Sequence, residues 1–240
     1  MKKAVISMLT AIFITLVFVF PLETSVSAYT IAEPDVSFTY KSSDLKKDID
    51  NHSLSISING KQQTFVVKKE ELTYFKIKSK KYSSDNTVMT VKAAIIINRE
   101  VASVKTYATM KYNLKKSKWK LESVTFSTPS IYKVYLKGKF TGKYTAQQGE
   151  TKATFIIDNI TKDGFATGTM KFGPTPTNPN IPEGSYKIKG GYDLETGKVT
   201  LAASEWIDRP SGYNTLDFYG YLDLENKGIK ANNHLAIYPD

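Results

Sequence analysis

From Val134 onward the chain alternates with a period of two. Val134, Leu136, Gly138, Phe140, Gly142 and Tyr144 fall on one side, and Lys133, Lys137, Lys139, Thr141 and Lys143 on the other. Successive side chains of a strand point to opposite faces, so this pattern predicts a strand with one buried and one wet side. The alternation returns at Ala153 to Ile157, Ala166 to Phe172, Tyr186 to Tyr192, Val199 to Ala203 and Leu216 to Leu222, and in shorter pieces around Ile229 and Leu235. About eight short strands separated by turn residues predict an antiparallel barrel or sandwich. Glycines that recur on the inward face favour the barrel, where a closing sheet bends sharply.

The links between these strands differ in kind. Asp163-Gly164, Glu195-Thr196-Gly197 and Asn226-Lys227-Gly228 are compact turns after the second, fourth and sixth strands. After the third and fifth come two long, proline-stiffened loops, residues 173–184 and 206–213. In an up-and-down barrel odd-numbered links share one end, so both long loops are predicted at a common mouth, where small barrels bind ligands. Asn178, Asn180, Tyr186, Glu205, Trp206, Asp208, Arg209 and Tyr213 are the candidate site residues there. Flat aromatic faces beside amide, carboxylate and guanidinium groups suit a sugar ring, which has an apolar CH face and a belt of hydroxyls. Two alternatives stand beside this reading. Trp206 plugs the barrel end with its N–H satisfied, or Glu205 and Asp208 form the carboxylate pair of a glycan hydrolase.

The first half mixes periods. Ser42 or Ser43 is placed to cap a short helix with Leu45 and Ile49 on one face. Leu54, Ile56 and Ile58 then alternate up to Asn59-Gly60, a strong hairpin signal because both central residues of a type I′ turn take positive φ. Segments around Leu72 to Ile77, Thr87 to Ile97, Val101 to Leu114 and Trp119 to Phe126 complete a meander, so the expected shape is one helix on a curved antiparallel sheet. The run Tyr112-Asn113-Leu114 with Trp119-Lys120-Leu121-Glu122-Ser123-Val124 resembles the last hairpin of NTF2-like domains in TcaA-type envelope proteins of Gram-positive bacteria. That resemblance implies an α+β, NTF2/cystatin-like domain over residues 29–128 acting as a spacer or docking module. Asn178-Pro179-Asn180, Gly184-Ser185-Tyr186 and Trp206 to Tyr213 resemble a β-rich bacterial module of unassigned activity, which supports a second domain over residues 129–240.

Composition narrows location and chemistry. Met1-Lys2-Lys3, an apolar run to about Leu22 and Val26-Ser27-Ala28 form a secretory signal peptide over residues 1–28, leaving 212 residues. An uncleaved anchor is the alternative reading. There is no cysteine, which excludes disulfides, thiolate metal sites and cysteine nucleophiles. Residues 29–128 hold 18 Lys and Arg against 10 Asp and Glu, and residues 129–240 hold 13 against 12. Basicity confined to the first half favours an anionic wall polymer or envelope protein as partner, or else serves solubility. His52 reads as a polar turn residue, and neither a Gly-x-Ser-x-Gly elbow nor a phosphate loop is present. No cofactor, metal or nucleic acid is expected. The sequence therefore predicts a secreted or cell-wall-associated binding protein, with no stable membrane span once the signal is removed; a structural protein–protein module is the remaining alternative.

Overall fold

The computed structural model describes residues 38–231 and 235–240. The expected signal peptide lies outside the described residues. Helix α1, Ser42–Ile49, buries Leu45 and Ile49 completely, as two apolar residues four apart require. Helix geometry begins at Ser42 itself, so the cap position falls one residue earlier, on Lys41, whose N–H is taken by the Asp44 carboxylate at 3.2 Å. A carboxylate in the first turn also faces the positive end of the helix.

Strands β1 (Ser53–Ile58) and β2 (Lys61–Val66) form the expected hairpin, with φ of 49° at Asn59 and 72° at Gly60. A larger antiparallel sheet follows: β3 (Leu72–Tyr82), β4 (Val88–Asn98), β5 (Ala102–Lys115), β6 (Lys118–Phe126) and β7 (Ser130–Val134). Strand β5 is 14 residues long, enough for two partners on one edge. Its second half pairs with β6, and Ala102 to Lys105 pair with β7. α1 lies against β3, β5 and β6. On that side Met89, Val91, Ala93, Ile95 and Ile97 of β4 are buried in the core that Leu54, Ile56 and Ile58 of β1 also join. The opposite side of this sheet carries Thr90, Lys92, Ala94 and Ile96, none of them fully buried.

The rest of the described chain is a closed barrel of β8 (Gly138–Ala146), β9 (Gly149–Ile160), β10 (Phe165–Gly173), β11 (Gly184–Tyr192), β12 (Lys198–Asp208), β13 (Phe218–Asp223), β14 (Gly228–Ala231) and β15 (Ala236–Pro239). Each strand pairs antiparallel with the next, and β15 closes on β8 from Ala236↔Lys143 to Pro239↔Phe140. Eight strands leave an interior that side chains just fill, and Phe140, Phe155, Met170, Tyr186, Ile188 and Leu201 fill it here. Closure depends on inward glycines. A Cβ at Gly168 would stand 2.0 Å from the Ile156 carbonyl oxygen and one at Gly190 1.9 Å from that of Thr200. The alternation running from Val134 to Tyr144 is divided between two sheets: Val134 ends β7, and the chain turns through Leu136 to Gly138, where φ is 134°. Both flanking apolar residues stay buried through the turn, which is why the sequence pattern runs on unbroken.

The end of the barrel with tight turns is seated on the first half. Asn59 N–H donates to Thr196 O at 2.6 Å. The buried Gln63 amide donates to Leu222 O and accepts from Leu224 N–H, both at 2.8 Å. Arg99 donates from Nε to Leu224 O at 2.8 Å and from Nη2 to Glu225 O at 3.0 Å, while its Nη1 meets both oxygens of Glu71 at 2.8 Å. The up-and-down order then leaves the proline loops at the other end. Among the described residues no helix is long and apolar enough to cross a membrane.

Candidate functional site

Among the described residues, two long loops stand at the end of the barrel away from the first half. Residues 174–183, between β10 and β11, fold on themselves through paired backbone contacts of Thr175 with Asn178, 3.0 and 3.3 Å. The Asn178 amide donates to Gln148 O at 2.7 Å and Thr177 Oγ1 donates to Glu150 at 2.6 Å, so this loop is tied to the β8–β9 turn. Ile181, 5% exposed, anchors it to the core. Residues 209–217, between β12 and β13, are held by Tyr186. Its hydroxyl donates to Leu216 O at 2.8 Å and accepts Leu216 N–H at 3.2 Å. The loops meet at Gly184, where a Cβ would lie 2.4 Å from the Phe172 ring and 2.8 Å from Pro210.

Bulges decide where Trp206 points. Simple alternation from Val199, Leu201 and Ala203 would turn residue 205 inward and residue 206 to solvent. Ile188 pairs with Ala203 and Tyr186 with Trp206, so three steps on β12 answer two on β11; a second irregularity precedes Ser185↔Asp208. An extra residue on one strand re-aims the side chains beyond it. Trp206 therefore meets Tyr186 edge-on, with centroids 5.4 Å apart at 75°, and Phe172 at 6.2 Å and 73°. Tyr213 stacks on Phe172 at 5.5 Å and 15°. The Arg209 guanidinium lies 5.8 Å over the Trp206 ring, and its Nε donates to Tyr213 O at 3.4 Å.

The predicted residues thus divide. Trp206, Arg209 and Tyr213 form one cluster on Phe172, with Trp206 and Tyr213 half-buried and Arg209 exposed. Tyr186 is the strut beneath them, 1% exposed, and burial pushes its hydroxyl above the usual phenol range. Asn178 faces the β8–β9 turn and Asn180 is exposed on the same loop. Glu205 stands on the outer wall, 2.7 Å from Lys187, whose ammonium holds its carboxyl below the ordinary glutamate range. Asp208 pairs opposite Ser185 and lines an outer groove of about 420 Å³ with Lys152, Lys171 and Glu183. Phe172, the platform of the aromatic cluster, was visible in the sequence only as another inward residue of β10. Lys152 and Lys171 were legible only as wet-face lysines, because a groove needs the cross-strand register.

Among the described residues no three His, Asp or Glu side chains gather as a metal site. Compared with family models, curated proteins and solved structures, the chain matches none.

Proposed function

We propose that this is an exported, non-catalytic binding protein of a Gram-positive cell envelope. In this reading residues 29–128 are an NTF2-like docking module, and residues 129–240 bind a glycan or wall polymer at the barrel mouth. The observation that carries it is the asymmetry of the barrel. Its tight-turn end is committed to the first half through Gln63 and Arg99, whereas the opposite end presents Trp206, Arg209 and Tyr213 on a pre-formed aromatic base. The part-exposed rings of Trp206 and Tyr213 and the exposed guanidinium of Arg209 can take the CH face and hydroxyls of a sugar, and rigidity reduces the ordering cost of binding.

Glycan hydrolysis by Glu205 and Asp208 is the weaker reading. A general acid needs a raised carboxyl pKa, and Lys187 lowers that of Glu205. The test is sedimentation of the purified chain with Gram-positive cell walls. Trp206→Ala and Arg209→Ala are expected to cut retention severalfold with the fold intact. Unchanged retention removes the mouth as the site, and release of wall fragments that Glu205→Gln abolishes would restore the hydrolase.

A further inference from the structure

The basicity of the first half is gathered on its sheet. Strands β3 to β7 carry eleven lysines against a single carboxylate, Glu122. The register puts Lys76, Lys81, Lys92, Lys105 and Lys111 on the face turned away from α1, whereas Lys80, paired with the buried Val91, lies on the other face. Tyr74 pairs with Ile96 and Ile96 with Lys105; Lys76 pairs with Ala94 and Ala94 with Tyr107; Lys81 pairs with Thr90 and Thr90 with Lys111. Three tyrosines on this face are exposed: Tyr74 by 41%, Tyr107 by 42% and Tyr132 by 53%. They line a shallow groove of about 430 Å³, floored by Ala94 and Ile96. Lys92 stands 4.6 Å over the Tyr107 ring and Lys105 5.9 Å over that of Tyr132, so the cations are held at the aromatic surface.

We propose that this open face is a second binding surface, independent of the barrel mouth, for an acidic glycan chain laid across the strands. Charge complementarity and the kind of groups on this face favour that ligand. Lysine ammoniums act as point charges for carboxylates along a polymer. Between them run hydroxyl side chains, Thr90, Thr109, Thr125 and Ser130, on the same face, which suit a hydroxyl-rich backbone. A single-stranded nucleic acid fits less well, because base stacking needs open ring faces and two of the three rings carry a lysine. Glu122 pairs with Lys111, 2.8 Å away, and also interacts with Lys115. Lys105 lines the groove and Lys76 and Lys92 flank it in the register, close enough to act on a chain there within about one Debye length, ~8 Å at physiological salt.

The test is titration of the purified chain with polygalacturonate, neutral dextran and a dT20 oligonucleotide over a series of salt concentrations. Polygalacturonate is expected to bind with a steep salt dependence and dextran not to bind. Lys92→Gln with Lys105→Gln should weaken polygalacturonate at least tenfold, and Tyr107→Ala should weaken it further. Lys189→Gln with Lys230→Gln, an equal loss of charge on the barrel, should leave it within twofold. Each of these results overturns the proposal: no binding of polygalacturonate; equal weakening by the barrel lysines, which makes the attraction a net-charge effect; indifference to Tyr107→Ala; or tighter binding of dT20, which makes the face a nucleic-acid surface. Trp206→Ala is read in the same series: loss of polygalacturonate binding in it with no loss in the Lys92/Lys105 variant places the polymer at the mouth and overturns the face, so failure here is separable from failure of the mouth.

Discussion

Arg99 and Glu71 form a two-oxygen ion pair, 2.8 Å on each side, at the seam between the two halves of the molecule. The pair is nearly dry, with side-chain exposures of 6% and 11%. Arg99 spends its other donors on the Leu224 and Glu225 carbonyls, and its guanidinium lies 4.6 Å over the Phe65 ring. Glu71 also meets the Lys227 ammonium at 3.0 Å, so losing Arg99 leaves it one partner rather than none, and the expected cost lies at the lower end of the roughly 3–5 kcal/mol of a broken buried pair. Arg99→Ala should lower the unfolding free energy by that amount in urea denaturation. Arg99→Lys should recover only part of it, because an ammonium cannot reproduce the planar fork. A loss under about 1 kcal/mol, the range of an exposed pair, would show that the seam does not rest on this residue.

Tyr186 ties the strand beneath Trp206 to the loop beyond it. Tyr186→Phe keeps the ring and removes both contacts to Leu216. At about 1 kcal/mol per hydrogen bond, the variant should remain folded while the Leu216 amide exchanges with solvent roughly tenfold or more faster. Unchanged exchange at Leu216 would mean that the loop is held by other contacts, such as Asp217 Oδ1 accepting from Ala203 N–H at 2.8 Å.

The inward glycines and the loop glycines should respond differently. Gly190→Ala puts a methyl 1.9 Å from the Thr200 carbonyl oxygen, so β11 and β12 must separate. The expected loss is about 1–3 kcal/mol or more. Gly212 has φ of 80° with nothing within 4 Å of an added Cβ. Gly212→Ala meets only the backbone penalty of the left-handed region, roughly 1–2 kcal/mol. Thermal melts of the pair test this ordering, and a larger loss at Gly212 would contradict it.

The tether of the first proline loop should depend on acid. Glu150 accepts from Thr177 and pairs with Lys143, and these contacts, Thr177 first, hold its carboxyl below the ordinary glutamate range. A depressed folded pKa contributes stability that is present above the unfolded value, about 4.3, and is lost as pH falls through the folded one. NMR shifts of Thr177 should therefore stay constant from pH 7 to 5 and move only in the acid range beneath. A transition near neutral pH would exclude Glu150 as the cause.

The barrel was legible because each of its strands buries one face and turn residues separate the strands. Gly164 at φ 80° and Gly197 at 71° suit two of the three tight links, while in the third the positive φ, 59°, falls on Lys227 rather than on Gly228. What escaped is non-local. Arg99 reads as an ordinary turn residue after Asn98, and its partners lie 28, 125 and 126 residues away. The strand Ser130–Val134 alternates like the barrel strands but pairs with β5, because alternation specifies a face and not a partner. At the mouth, period-two counting reverses Glu205 and Trp206, since a bulge adds a residue without any marker such as glycine. The tyrosine–lysine face was visible only as net charge, because its rows form across strands.

The most direct test of the binding reading is the emission of Trp206, read in a Trp119→Phe background so that it is the only tryptophan, during titration with soluble Gram-positive cell-wall fragments. A saturable change in emission, weakened severalfold by Arg209→Ala and retained in Glu205→Gln, is the predicted result. Wall fragments that are retained by the protein while the Trp206 emission stays flat would contradict a ligand at the barrel mouth.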